Sequence, residues 1–119
     1  MDSKSALEAF AQRYVVASFR ERFLHEASKR PERLYSRICH NIEEILPSAF
    51  AGKRARFSSD DPCLVLEDSR GFRATTWGAL QRRIGLGEGL LVVGNDGSRF
   101  YAETEGVKGG PSVVYGHGS

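Results

Sequence analysis

Two hydrophobic periods divide the chain near Phe50, with helical spacing before it and glycine-punctuated, strand-like alternation after it. Leu7, Phe10, Ala11, Tyr14, Val15, Phe19 and Phe23 recur at three- and four-residue steps, which predicts a helix over residues 5–28. Val16 and Leu24 widen its apolar arc beyond one stripe, so this helix either meets neighbours on two sides or bends along its length. Lys29-Arg30-Pro31 predicts a break, because the residue before proline avoids helical dihedrals while proline suits the first turn of a new helix. In the second helix Glu32 sits in the first turn. Leu34, Ile38, Ile42, Ile45 and Leu46 form its narrow stripe, flanked by Tyr35 and Cys39, until Pro47 forbids continuation. The two helices read as a hairpin over residues 5–47.

Beyond Ala51-Gly52-Lys53, strands are predicted over 54–58, 63–67 and 71–75 as an antiparallel meander, separated by Asp60-Asp61-Pro62 and Asp68-Ser69-Arg70-Gly71. Thr76 caps a short helix over 77–84, with Leu80 and Ile84 inward and Gly85 as terminator. Leu90-Leu91-Val92-Val93 is continuously apolar, as a strand buried on both faces should be. Asn95-Asp96-Gly97 then turns the chain into a strand over 99–104. Residues 106–119 are Gly-rich apart from Val113-Val114-Tyr115, which reads as a short edge strand or part of a flexible, docked tail.

The expected architecture is α+β, one domain over 1–119. The helical hairpin packs on one face of a mostly antiparallel sheet of about five strands within 53–115, with the short helix inserted. Alternation would place Ala55, Phe57, Phe72, Ala74, Phe100 and Ala102 under the helices.

At 119 residues the chain supports one modest core, and 40% hydrophobic with 27% charged residues is ordinary for a soluble protein. A formal charge of +2 gives little electrostatic affinity for nucleic acid or anionic membranes, but its distribution is uneven. Through Ser58 there are eleven Lys and Arg against seven Asp and Glu, and six against eight thereafter, so the helical half is the basic half. The start of the chain carries no uninterrupted apolar stretch, which leads to the expectation of a cytoplasmic protein with no membrane partner. In that reducing compartment Cys39 and Cys63 are expected as thiols.

On the second helix Arg33, Arg37, His40 and Glu44 fall along one line opposite the apolar stripe, either a docking ridge for phosphate or an acidic partner, or a solvated face. Cys39-His40 has the side chains of a nucleophile or metal site, but adjacent helical positions diverge and neither Cys63, His25 nor His117 completes a ligand spacing. Asp60-Asp61 and Glu67-Asp68 read as turn chemistry. Residues 76–85 look like the first helix of a helix-turn-helix unit, yet a strand follows where the recognition helix should be. The Gly-rich run 85–89 lacks the Gly-Lys-Ser/Thr ending of a P-loop and precedes a strand, so it serves a turn instead of a phosphate.

Period-two alternation puts Arg54 with Arg56, Arg73 with Thr75 and Trp77, and Arg99 with Tyr101 and Glu103 on single faces of their strands. If these faces coincide, the sheet presents Arg interleaved with aromatics, a mixture that suits a protein hot spot or single-stranded nucleic acid. The expectation is a non-catalytic interaction domain without cofactor or metal, such as an inhibitor, immunity-type antitoxin or adaptor. It would bind another protein through Arg54, Arg56, Arg73, Trp77, Arg99 and Tyr101, or through Arg33, Arg37 and His40. The alternatives are a nucleic-acid-binding module on the same basic and aromatic side chains, and an enzyme built from His40, Arg37 and a carboxylate.

Overall fold

The computed structural model describes residues 2–106 and 113–117. Three helices, α1 (Ser3–Tyr14), α2 (Arg20–Lys29) and α3 (Pro31–His40), precede five strands, β1 (Pro62–Leu66), β2 (Arg73–Thr76), β3 (Glu88–Gly94), β4 (Phe100–Glu105) and β5 (Val114–His117). The strands form one open antiparallel sheet in the order β2-β1-β3-β4-β5, and the helices cover one face, giving an α+β fold.

The first expected helix is broken in two. Val15 and Val16 adopt extended dihedrals, and the Val16 N–H donates to the Ile45 carbonyl at 2.8 Å instead of to its own helix. The freed end of α1 is capped by a side chain, Arg20, whose Nε donates to the carbonyls of Ala11 (3.1 Å) and Val15 (3.0 Å). The broad apolar arc is therefore two stripes on two helices meeting at an angle. The second expected helix stops at His40, with Asn41 at φ −142°, but Ile42, Ile45 and Leu46 still reach the core through a single 3₁₀ turn.

Phe10, Phe23, Leu34, Ile38, Leu66, Leu91, Val93 and Phe100 fill the space between helices and sheet, each fully buried. Removing such side chains from water contributes roughly 1.5–3 kcal/mol apiece. Tyr14 packs on Phe100 at 4.9 Å between centroids and donates its hydroxyl proton to the Ser98 carbonyl at 2.5 Å. That single proton being committed, the 2.9 Å contact to His117 Nδ1 requires an Nδ1–H that donates to Tyr14 Oη, which ties β5 to α1.

The second half departs from a meander in a way that decides the surface. β1 and β2 form a hairpin, but β3 pairs with the other edge of β1, so the chain must cross one face to reach it. The helices occupy one face, and the crossover runs over the other. Residues 77–84, expected as a helix, contain a 3₁₀ turn (Gly78–Leu80) whose start is held by the Ala79 N–H on Thr76 Oγ1 at 3.4 Å. Trp77, Leu80 and Ile84 lie against Cys63, Val65, Leu90, Val92 and Tyr101, forming a second apolar cluster. Residues 54–58 are not a strand, and they join this covering layer through Phe57, which was expected under the helices. Ala74 is likewise not under them but exposed. Val114 and Tyr115 take the edge-strand alternative as part of β5, with Val113 immediately before it; residues 107–112 and 118–119 of the expected tail lie outside the described residues. Among the described residues no helix is long and apolar enough to cross a membrane.

Candidate partner-binding surface

Residues 51–57 form a strap that begins on the outer edge of β5 and passes onto the crossover side of the sheet. Ala51 bridges to Tyr115, and the Gly52 N–H donates to the Val114 carbonyl at 2.7 Å. Gly116 permits the approach, since a Cβ there would stand 2.7 Å from the Lys53 carbonyl oxygen and 3.1 Å from the Ala55 nitrogen. The far end is fastened by Arg99, whose Nη1 donates to the Arg56 carbonyl (2.7 Å) and to Asp61 Oδ2 (3.0 Å). Asp61 also accepts from the Ser58 N–H, and these contacts, the amide first and Arg99 second, hold its carboxyl below the usual carboxylate range.

Beneath the strap lies a run of rings. Phe57 stacks on Trp77 with centroids 4.6 Å apart and planes at 14°, and Trp77 meets the edge of Tyr101 at 5.7 Å. The Arg99 guanidinium lies over Phe57 at 4.9 Å from its centroid. Phe57 and Trp77 are half-buried, while Tyr101 is only 6% exposed. Burial pushes the Tyr101 hydroxyl up to about 12, assisted by the neighbouring Glu103 carboxylate and opposed by Arg54. Along the strap Lys53, Arg54 and Arg56 are exposed, and among the described residues none is in an ion pair.

The structure brings Arg54, Arg56, Trp77, Arg99 and Tyr101 to one side of the sheet. Arg73 belongs to the same side, because it registers with Val65, and its guanidinium is bound to Glu67 at 2.6 Å. Arg33, Arg37 and His40 are on α3, in the helical layer, and cannot join that surface. Arg37 is a fastener: Nε and Nη2 hold both oxygens of the buried Glu26 (3.0 and 3.2 Å), Nη1 holds Glu44 (2.6 Å), and the guanidinium lies over Phe19 at 5.1 Å. His40 pairs with Glu105 at 3.1 Å, and Arg33 stands exposed. His40 and Arg37 thus address different carboxylates. Next to His40, the Cys39 thiol is buried, pushed up by that burial, and turned onto Gly89 and Tyr35.

Three contributors escaped the sequence pattern. Phe57 lies in an irregular segment, so strand alternation gives its face wrongly. Lys53 stands in a Gly-containing connection, where no periodicity marks it. Glu103, placed on an exposed strand face, is fully buried: its Oε1 accepts from the Gly85 N–H (2.8 Å) and from the Tyr101 hydroxyl (3.3 Å), and its Oε2 from the Gly87 N–H (2.9 Å). The glycine run 85–89 does cradle an anion, and the anion is the chain's own carboxylate. The signal was present as a carboxylate in the strand paired with the apolar run, with two glycines at positive φ (Gly85 at 86°, Gly87 at 70°) opposite it. No protein-family model, curated protein or solved structure matches this chain.

Proposed function

We propose that this chain is a non-catalytic cytoplasmic interaction domain, an inhibitor, immunity-type antitoxin or adaptor, that docks on an acidic protein surface through the strap. The observation that carries the reading is the exposed Lys53, Arg54 and Arg56 triplet, without ion partners among the described residues, on a strap fastened to β5 at one end and to Arg99 and the Phe57–Trp77 stack at the other. A cation on a preorganised backbone loses little conformational freedom on binding, and charge complementarity selects the partner and speeds its encounter. Arg and Trp are also the residue types that dominate interface energetics.

The same side chains suit nucleic acid less well. Single-strand binding needs aromatic faces open to bases. Phe57 carries Trp77 and the Arg99 guanidinium, so its faces are taken within the protein. An acidic protein surface asks only for the cations and their rim.

The test is recovery of the tagged chain from its native host, comparing wild type with R54E/R56E. The expected result is a protein partner bound by wild type and lost from the double variant, with no retention of oligonucleotides even at low salt. Recovery of the wild-type chain alone, or of nucleic acid whose binding falls steeply with salt, would overturn the reading.

A further inference from the structure

The two edges of the sheet are treated differently by the fold. Along β5 the outward peptide groups belong to Val114 and Gly116, and the strap covers them, with Gly52 donating to the Val114 carbonyl. Along β2 the register with β1, together with the 3.0 Å bond from the Trp77 N–H to the Asp61 carbonyl, turns the peptide groups of Arg73 and Thr75 towards β1. The N–H and C=O groups of Ala74 and Thr76 therefore point away from the sheet, and among the described residues no backbone group meets them.

Proteins normally blunt such an edge with proline, lysine, a bulge or a covering segment. Among the described residues β2 has none of these. Its charged side chain, Arg73, is drawn onto the crossover face by Glu67, which leaves the main chain open. Beside the start of β2 lies a hollow of about 250 Å³ lined by Glu67, Asp68, Arg70, Gly71, Phe72 and Arg73, with the half-buried Phe72 as its apolar wall. Outward peptide groups at a two-residue repeat fit an extended strand and no other backbone, and a hollow beside them fits one of its side chains.

We infer that the outer edge of β2 receives an extended segment of a protein partner as a further strand of the sheet. Main-chain bonds form to Ala74 and Thr76, an apolar side chain of the segment enters the hollow beside Phe72, and a carboxylate lies near Arg73. That guanidinium is half-exposed, and the one carboxylate it holds, Glu67, also binds Arg83. A second copy of this chain is a poorer occupant, because its own β2, Arg73-Ala74-Thr75-Thr76, offers neither a carboxylate for Arg73 nor an apolar side chain larger than alanine for the hollow. The inference rests on the reading of the chain as a protein-binding domain but uses a different surface from the strap.

A phage-displayed library of random peptides about ten residues long, selected on the full chain, supplies the probe. The expected winners alternate β-branched or apolar residues with at least one Asp or Glu. On saturation they slow amide exchange at Ala74 and Thr76 by about tenfold or more, since new ladder bonds protect those groups. A74P and T76P, which remove the outward donors, each lower affinity by about tenfold, the loss of about 1.4 kcal/mol, while R54E/R56E binds as wild type. If A74P does not fold, T76P and the exchange measurement decide. No enrichment, winners that bind both proline variants as tightly as wild type, or exchange slowed elsewhere but not at Ala74 and Thr76 would overturn the edge. Partner capture from the host lost in R54E/R56E but unchanged in A74P and T76P would also overturn the edge while leaving the strap reading intact.

Discussion

Replacing Glu103 by glutamine tests whether a buried carboxylate holds the crossover in place. The two side chains have the same shape, so packing is unchanged. The carboxylate serves Gly85 on one oxygen and Gly87 on the other, at 2.8 and 2.9 Å. An amide has one acceptor, so whichever way it turns, an N–H faces an N–H in a fully buried site. One charge-assisted hydrogen bond is lost, worth roughly 1.5–3 kcal/mol, and an orphaned donor is created. The neutral side chain is easier to bury, which offsets part of that loss. A net destabilisation of about 2 kcal/mol is expected. With a urea dependence of roughly 1–2 kcal/mol/M the midpoint should fall by about 1–2 M. Exchange at the Gly85 and Gly87 amides should accelerate beyond what the global change explains, because those donors lose their acceptors. An E103Q midpoint within experimental error of wild type, with both glycine amides still protected, would refute the account of the loop.

Arg37→Met strands the Glu26 carboxylate, which is 3% exposed, and should cost about 3 kcal/mol by thermal or urea unfolding, with much of it recovered in R37M/E26L. At alkaline pH, Cys63 is pushed up to about 11 and Tyr101 up to about 12, in each case chiefly by burial. Both groups hold their protons in the folded state after the unfolded chain has lost them. The contribution of these two groups to stability should therefore be constant below the ordinary thiol range, fall as pH rises through the unfolded values of about 9 and 10, and level off above the folded ones. Urea midpoints against pH for wild type, C63A and Y101F check this, and an unchanged slope in both variants would refute it. Gly97→Ala should destabilise the β3–β4 turn by more than about 1 kcal/mol. Its φ is +76°, and a Cβ would stand 2.6 Å from the Ala6 carbonyl oxygen and 2.7 Å from the Phe10 nitrogen, so a wild-type melting temperature would contradict that approach.

Periodicity alone located α3, β1, β3, β4 and the turn at Asn95-Asp96-Gly97, because each depends on contacts between residues close in sequence or on an apolar run that has one stable setting. It also put Tyr101 and Glu103 on one face of their strand, but that Arg73 shares this face follows from the register of the folded sheet, Arg73 opposite Val65, Val65 opposite Val92 and Val92 opposite Tyr101. The break at Val15–Val16 was legible only as an excess of apolar positions. Its cause, a hydrogen bond to Ile45, joins residues that the sequence separates widely.

Local pattern thus determined the α+β class and the existence of a basic, aromatic set of side chains. Tertiary structure decided which of them meet. The pairing of β3 with β1 instead of β2 forces a crossover over the face that would otherwise be open, and that one topological choice buries Tyr101 and Glu103 and recruits Phe57 from a failed strand. It also leaves the outer edge of β2 unpaired among the described residues. Strand order depends on free energies summed over distant contacts, and alternation along a single strand, which is the same for either neighbour, carries no record of it.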